Sequence, residues 1–149
     1  TDGDMDKAVD WLREKGLAKA AKKADRVAAE GVAYATVVDG VGVIIEVNSE
    51  TDFAAKTDAF MDLVKNLAVV VAKQNPADVE ALKACTYPGT NLTVTEIMQE
   101  KVMSIGENMQ IRRFARFPEN TSVAYVHAGG ISPWFPRLTS STRWKFRLL

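Results

Sequence analysis

The chain has 149 residues, close to half of them apolar, with 19 basic side chains against 19 acidic ones. That length allows a buried core in one domain or two small ones, and zero net charge removes any global reason to expect nucleic acid or an anionic membrane as a partner. The single cysteine, Cys85, excludes an intramolecular disulfide and a multi-thiolate metal site; no apolar run approaches a membrane span, and the first residues are acidic where a secretory signal would be basic, so the cytoplasm is the expected compartment.

Asp4 is a candidate N-cap for a short helix with Met5, Ala8, Val9 and Leu12 on one face and Gly16 as its stop. That apolar stripe needs a cover, so the chain is read as starting inside a small helical unit, with Trp11 off the stripe and partly exposed. Leu17 to Ala24 is rich in alanine and lysine and predicts a second short helix, with Lys19, Lys22 and Lys23 on its polar face. With no aromatics between these lysines, a solvated face is favoured over a phosphate-binding patch. Val32 to Val38 and Val41 to Val47 flank Asp39-Gly40, a strong two-residue hairpin signal. Gly40 and Gly42 are not a dinucleotide fingerprint, since no third glycine and no helix start follow.

Asn48-Ser49-Glu50-Thr51-Asp52-Phe53 joins this hairpin to the longest helical pattern, which carries Phe60, Val64, Leu67 and Val71. Ser49 or Thr51 caps that helix, and Glu50 and Asp52 suit its positive end. Phe53 is either a core plug in helical register with Phe60 or a projecting contact, and spacing leaves both open. Asn75-Pro76 reads as a cap and first-turn proline for a short helix through about Lys83, and Tyr87-Pro88-Gly89 as a turn. Thr93 with Glu96 forms a capping box for a helix bearing Val94, Ile97, Val102 and Ile105 and ending at Gly106, with Met98 and Met103 at the edge of the core. Met109 to Phe117 and Ser122 to His127 read as strands. From Ile131 onward neither helical nor strand period persists; Ser132 to Leu149, with Trp134 and Trp144, is expected to make few contacts with the core.

Catalytic chemistry finds little footing here. His127 is the lone histidine, no nucleophile elbow exists, and no glycine-rich loop ends in Gly-Lys-Ser/Thr. Asp52, Asp58 and Asp62 read as caps and solvated charges in preference to a metal site.

Leu12-Arg13-Glu14-Lys15-Gly16-Leu17-Ala18-Lys19-Ala20-Ala21-Lys22-Lys23-Ala24, Ala28-Ala29-Glu30-Gly31, Glu46-Val47-Asn48-Ser49-Glu50-Thr51-Asp52-Phe53 and Ile105-Gly106-Glu107-Asn108-Met109-Gln110-Ile111-Arg112-Arg113 together resemble the elongation factor Ts family, over residues 3–130. The resemblance implies an α+β fold. Residues 1–30 would be the last helix of a ubiquitin-associated-like domain and its linker, 31–106 a first core subdomain, 107–130 the start of an incomplete second one, and 131–149 an atypical tail, disordered or out of frame. It implies a guanine-nucleotide exchange factor, not an enzyme, that binds elongation factor Tu and promotes GDP release by disturbing its Mg²⁺ and phosphate site. Thr51, Asp52 and Phe53 would form the exchange tip, with Ile105 and His127 as further partner contacts, and no cofactor, metal, membrane or nucleic acid held by the chain itself. Two alternatives stand beside it. One is a basic nucleic-acid-binding module using Lys19, Lys22, Lys23, Arg112, Arg113 and Arg116; the other is an inactive truncated fragment of the exchange factor.

Overall fold

The computed structural model describes residues 4–118. The second strand read at Ser122 to His127 and the tail beyond it lie outside these residues. In chain order the elements are α1 (Met5–Lys23), β1 (Glu30–Val38), β2 (Val41–Ser49), α2 (Asp52–Ala55), α3 (Asp58–Gln74), α4 (Val79–Ala84), α5 (Val94–Ile105) and β3 (Met109–Phe117). The fold is α+β, as expected, with one antiparallel sheet in the order β1-β2-β3.

The hairpin forms as the sequence predicts. Asp39 and Gly40 both take positive φ, 50° and 81°, the backbone that matches the twist of the flanking strands in a two-residue turn. Alternation then sends Val43, Ile45 and Val47 of β2 to one face, where each is fully buried in one core with Phe60, Leu63, Val64 and Leu67 of α3. Leu82, Val94, Ile97 and Val102 bring α4 and α5 onto the same core. Each such side chain contributes about 1.5–3 kcal/mol by leaving water. Cys85 is half-buried, and desolvation pushes its thiol above the ordinary value, which suits a packing role better than a reactive one.

β3 pairs with β2, so the strand expected to open a second subdomain extends the same sheet. A bulge interrupts this pairing: Glu46 faces Arg113 and Val47 faces Ile111, leaving Arg112 as the extra residue. Consecutive arginines would otherwise point to opposite faces. Here both reach Glu46, with Nε to carboxylate distances of 2.6 Å for Arg113 and 3.6 Å for Arg112.

Three local expectations need correction. Gly16 does not stop a helix, and the two short helices expected on either side of it are one, α1. Gly16 is buried against α5, where an added Cβ would lie 2.1 Å from the Met103 sulfur; glycine is there for closeness and keeps helical geometry. The long helix does not run from the Ser49/Thr51 cap, because Thr57 opens α3 with its own side-chain cap on the Phe60 N–H. Asn75 is not an N-cap: it closes α3 in the left-handed conformation, φ 50°, and Asp78 caps α4. The Thr93–Glu96 capping box, the Gly106 stop and the strand Met109–Phe117 form as read.

Candidate functional site

β2 is the central strand, and its end delivers the chain into the polar corner. Ser49 is fully buried and donates its hydroxyl to the Thr51 carbonyl at 2.9 Å, bending the chain out of the sheet. Thr51 caps α2, not the long helix for which spacing proposes Ser49 or Thr51, by accepting from the Ala54 N–H at 3.3 Å. Ala54 and Ala55 are the buried side of this single helical turn. Phe53 is left on the outer side and is 79% exposed.

Phe53 is therefore not in the core, and its apparent register with Phe60 was an accident of two helix starts. The sequence Thr51-Asp52-Phe53-Ala54 and then Thr57-Asp58-Ala59-Phe60 caps twice, each threonine accepting from the third N–H after it. Asp52, at the positive end of α2, accepts from Lys56 Nζ at 2.7 Å. This hydrogen bond, with the Lys56 charge behind it, holds the Asp52 carboxyl below its ordinary value.

The corner is tied down from the junction between α5 and β3. Glu107 accepts from the Thr51 N–H at 3.0 Å with one carboxylate oxygen and from the Thr51 hydroxyl at 2.6 Å with the other. Asn108, also buried, donates its N–H to Glu50 at 2.6 Å, and its side-chain amide donates to the carbonyls of Ala24, at 3.2 Å, and Arg26, at 2.7 Å. Glu50 in turn pairs with Arg26 at 3.6 Å, and Lys23 Nζ donates to the Gly106 carbonyl. One short segment, Gly106-Glu107-Asn108, thus holds the end of α1 and the corner together. Gly31 adds a close approach on the other side: it faces Asn48 across β1 and β2, has φ 142°, and a Cβ there would lie 2.3 Å from the Val47 carbonyl oxygen.

Among the residues singled out by sequence, Thr51, Asp52 and Phe53 form one structural unit, and Ile105 stands half-buried at the end of α5, two positions before the residue that clasps Thr51. His127 lies outside the described residues. Sequence reasoning did not single out Glu107, Asn108 or Glu50 for this bracing. Glu107 and Asn108 leave no trace beyond one of the blocks quoted above, and Glu50 reads only as an acid at a helix start, since no spacing rule connects Glu107 to a residue 56 positions earlier.

Fold and corner together define an α+β domain that presents an aromatic side chain on a fastened mount. A family model described as Elongation factor TS matches residues 50–138. The chain belongs to the elongation factor Ts family. It is 52% identical over 134 residues to the elongation factor Ts of Trichlorobacter lovleyi, covering 87% of this chain and 43% of that protein. Against the elongation factor Ts of Pediococcus pentosaceus it is also 52% identical over 134 residues, 87% of this chain and 45% of the relative. Against that of Bartonella tribocorum it is 50% identical over 129 residues, 85% and 42%. The chain thus spans less than half the length of these relatives.

Proposed function

We propose that this chain is a guanine-nucleotide exchange factor of cytoplasmic translation that binds elongation factor Tu and speeds its release of GDP. Phe53 is the wedge, set beside the partner's Mg²⁺ and phosphate site, with Asp52 and Thr51 beside it and Ile105 and His127 as further contacts. The observation that carries the reading is the exposure of Phe53: a large apolar ring stands in water on a turn whose neighbouring side chains, Thr51 and Asp52, are held in place by hydrogen bonds. Membership in the elongation factor Ts family supports the choice of partner.

No bond-making is required. A protein that binds the nucleotide-free partner more tightly than the nucleotide-bound one lowers nucleotide affinity by linkage, and GDP expels it in return. The exposed apolar stripe of α1, Met5, Val9 and Leu12, fits the end of a ubiquitin-associated-like unit. Part of the surface of the competing basic-module reading is engaged within the chain: Arg112 and Arg113 pair with Glu46, and Arg116 donates to the Ala72 carbonyl from Nε and Nη2.

The test is the rate of GDP release from elongation factor Tu with and without this chain, for wild type and Phe53→Ala. Acceleration by wild type and its loss in Phe53→Ala, at an unchanged melting transition, is the expected result. Equal acceleration by both proteins would overturn the wedge, and failure of wild type to bind the partner would overturn the assignment.

A further inference from the structure

Phe53 is useful as a wedge only if it points the same way most of the time, and α2 is too short to supply that order itself. A single helical turn cannot hold its own shape in water, because nucleation costs more than one turn of hydrogen bonds returns. Its buried side is two alanines, which offer little area. What fixes it must come from outside, and among the described residues the one distant in sequence that hydrogen-bonds its cap is Glu107. Both carboxylate oxygens of Glu107 are engaged by Thr51, one by the backbone N–H and one by the hydroxyl. Because the hydroxyl hydrogen is committed to Glu107, the Thr51 oxygen presents its lone pairs to the Ala54 N–H, which it caps at 3.3 Å.

We propose that Glu107 is the positioning residue of the exchange tip: its carboxylate orients Thr51, the oriented Thr51 caps α2, and the capped turn aims Phe53 outward. The proposal rests on the reading of Phe53 as the wedge and adds the device that aims it. The arrangement is charge-assisted and bidentate, the strong end of the hydrogen-bond range, and joins segments 56 residues apart, so local sequence cannot replace it. Nothing in the sheet or the α3 core depends on it, since Glu107 sits in the connection after α5 and Thr51 in the connection after β2.

The test uses the full chain as wild type, Glu107→Ala, Glu107→Gln and Phe53→Ala, with three readouts: melting, amide hydrogen exchange, and GDP release from elongation factor Tu. Glu107→Ala is expected to speed hydrogen exchange at Thr51 and Ala54 while the β1–β2 ladder stays protected, and to cut accelerated GDP release by about tenfold or more, since both charge-assisted bonds to Thr51 are lost. Glu107→Gln keeps an acceptor for the Thr51 N–H but turns a donor toward the Thr51 hydroxyl, so it is expected to restore protection at Thr51 above that of Glu107→Ala while leaving the Ala54 cap weaker than in wild type, a split that a generally damaged fold would not give. Unchanged amide protection at Thr51 and Ala54 in Glu107→Ala overturns the proposal, whatever the exchange rates. So does full GDP release by Glu107→Ala where Phe53→Ala has lost it. If Phe53→Ala releases GDP as wild type does while Glu107→Ala still loosens Thr51 and Ala54, the wedge reading fails and the clasp stands.

Discussion

Phe53 and Phe60 carry the same side chain to opposite fates, one out in water and the other with no exposed surface at all. The contrast gives a direct comparison by chemical denaturation. Phe60→Ala should cost about 3–5 kcal/mol, the transfer term plus the cavity left among Val43, Ile45 and Leu63, whereas Phe53→Ala should change stability by less than about 0.5 kcal/mol. Asp52 gives a second check. Lys56 holds its carboxyl below 3.8, the ordinary value, so whatever stability the pair lends is present above the unfolded value and fades as pH falls through the lower folded one. Both groups are exposed and screened by solvent, and the effect belongs to titration more than to stability. Lys56→Met should move the Asp52 midpoint upward in an NMR titration; an unmoved midpoint would show that Lys56 is not what depresses it.

At the level of elements, glycine is used in two different ways on either side of the corner. A Cβ at Gly31 would meet the Val47 carbonyl and the Asn48 Cα, backbone atoms that cannot step aside, and φ 142° is strained for any other residue. Gly31→Ala should therefore cost about 1–3 kcal/mol, read from the denaturation midpoint, and should disturb the corner at Asn48. A Cβ at Gly16 meets only the far end of Met103, a flexible thioether that is 42% exposed. Gly16→Ala should be tolerated, since helix propensity gains about 1 kcal/mol, while Gly16→Leu should push α1 from α5 and speed its hydrogen exchange. The hairpin, the α5 capping box and β3 were legible because their signals are local: positive φ at Asp39-Gly40, reciprocal caps at Thr93 and Glu96, alternation after Gly106. Gly16 and Asn75 misled because the same residue type serves closeness or a left-handed cap, and only the neighbour across space decides which. The reading of Phe53 as a projecting tip came through resemblance, since periodicity alone could not choose between core and surface for it. Its fastening to Glu107 was invisible, because the two ends are far apart in sequence.

Across the whole molecule, charge is balanced by pairing as well as by number. Two arginines of β3 share the Glu46 carboxylate and the third hydrogen-bonds the Ala72 carbonyl in the last turns of α3. The proposed binding to elongation factor Tu, centred on an apolar ring, should weaken only modestly between low and physiological salt; a steep linear loss in log affinity against log salt would instead mark phosphate binding. The N-terminal half of α1 shows a different property. Met5, Val9, Trp11 and Leu12 stand exposed above a cleft of about 480 Å³ lined by Val9, Leu12, Glu96 and Met103, so hydrogen exchange should be fast there and slower past Gly16, where α1 meets α5.

The strand order has a mechanical side. A load applied to Phe53 enters the fold through the end of β2, and β2 is the strand with a neighbour on each side. The force is then shared as shear between two hydrogen-bonded ladders, with the Glu107 carboxylate acting as a brace at the point of entry. Had the tip hung from β1 or β3, pushing on it would have peeled an edge strand one bond at a time. Mounted on the central strand, the corner resists deformation better than the same corner hung from an edge strand would.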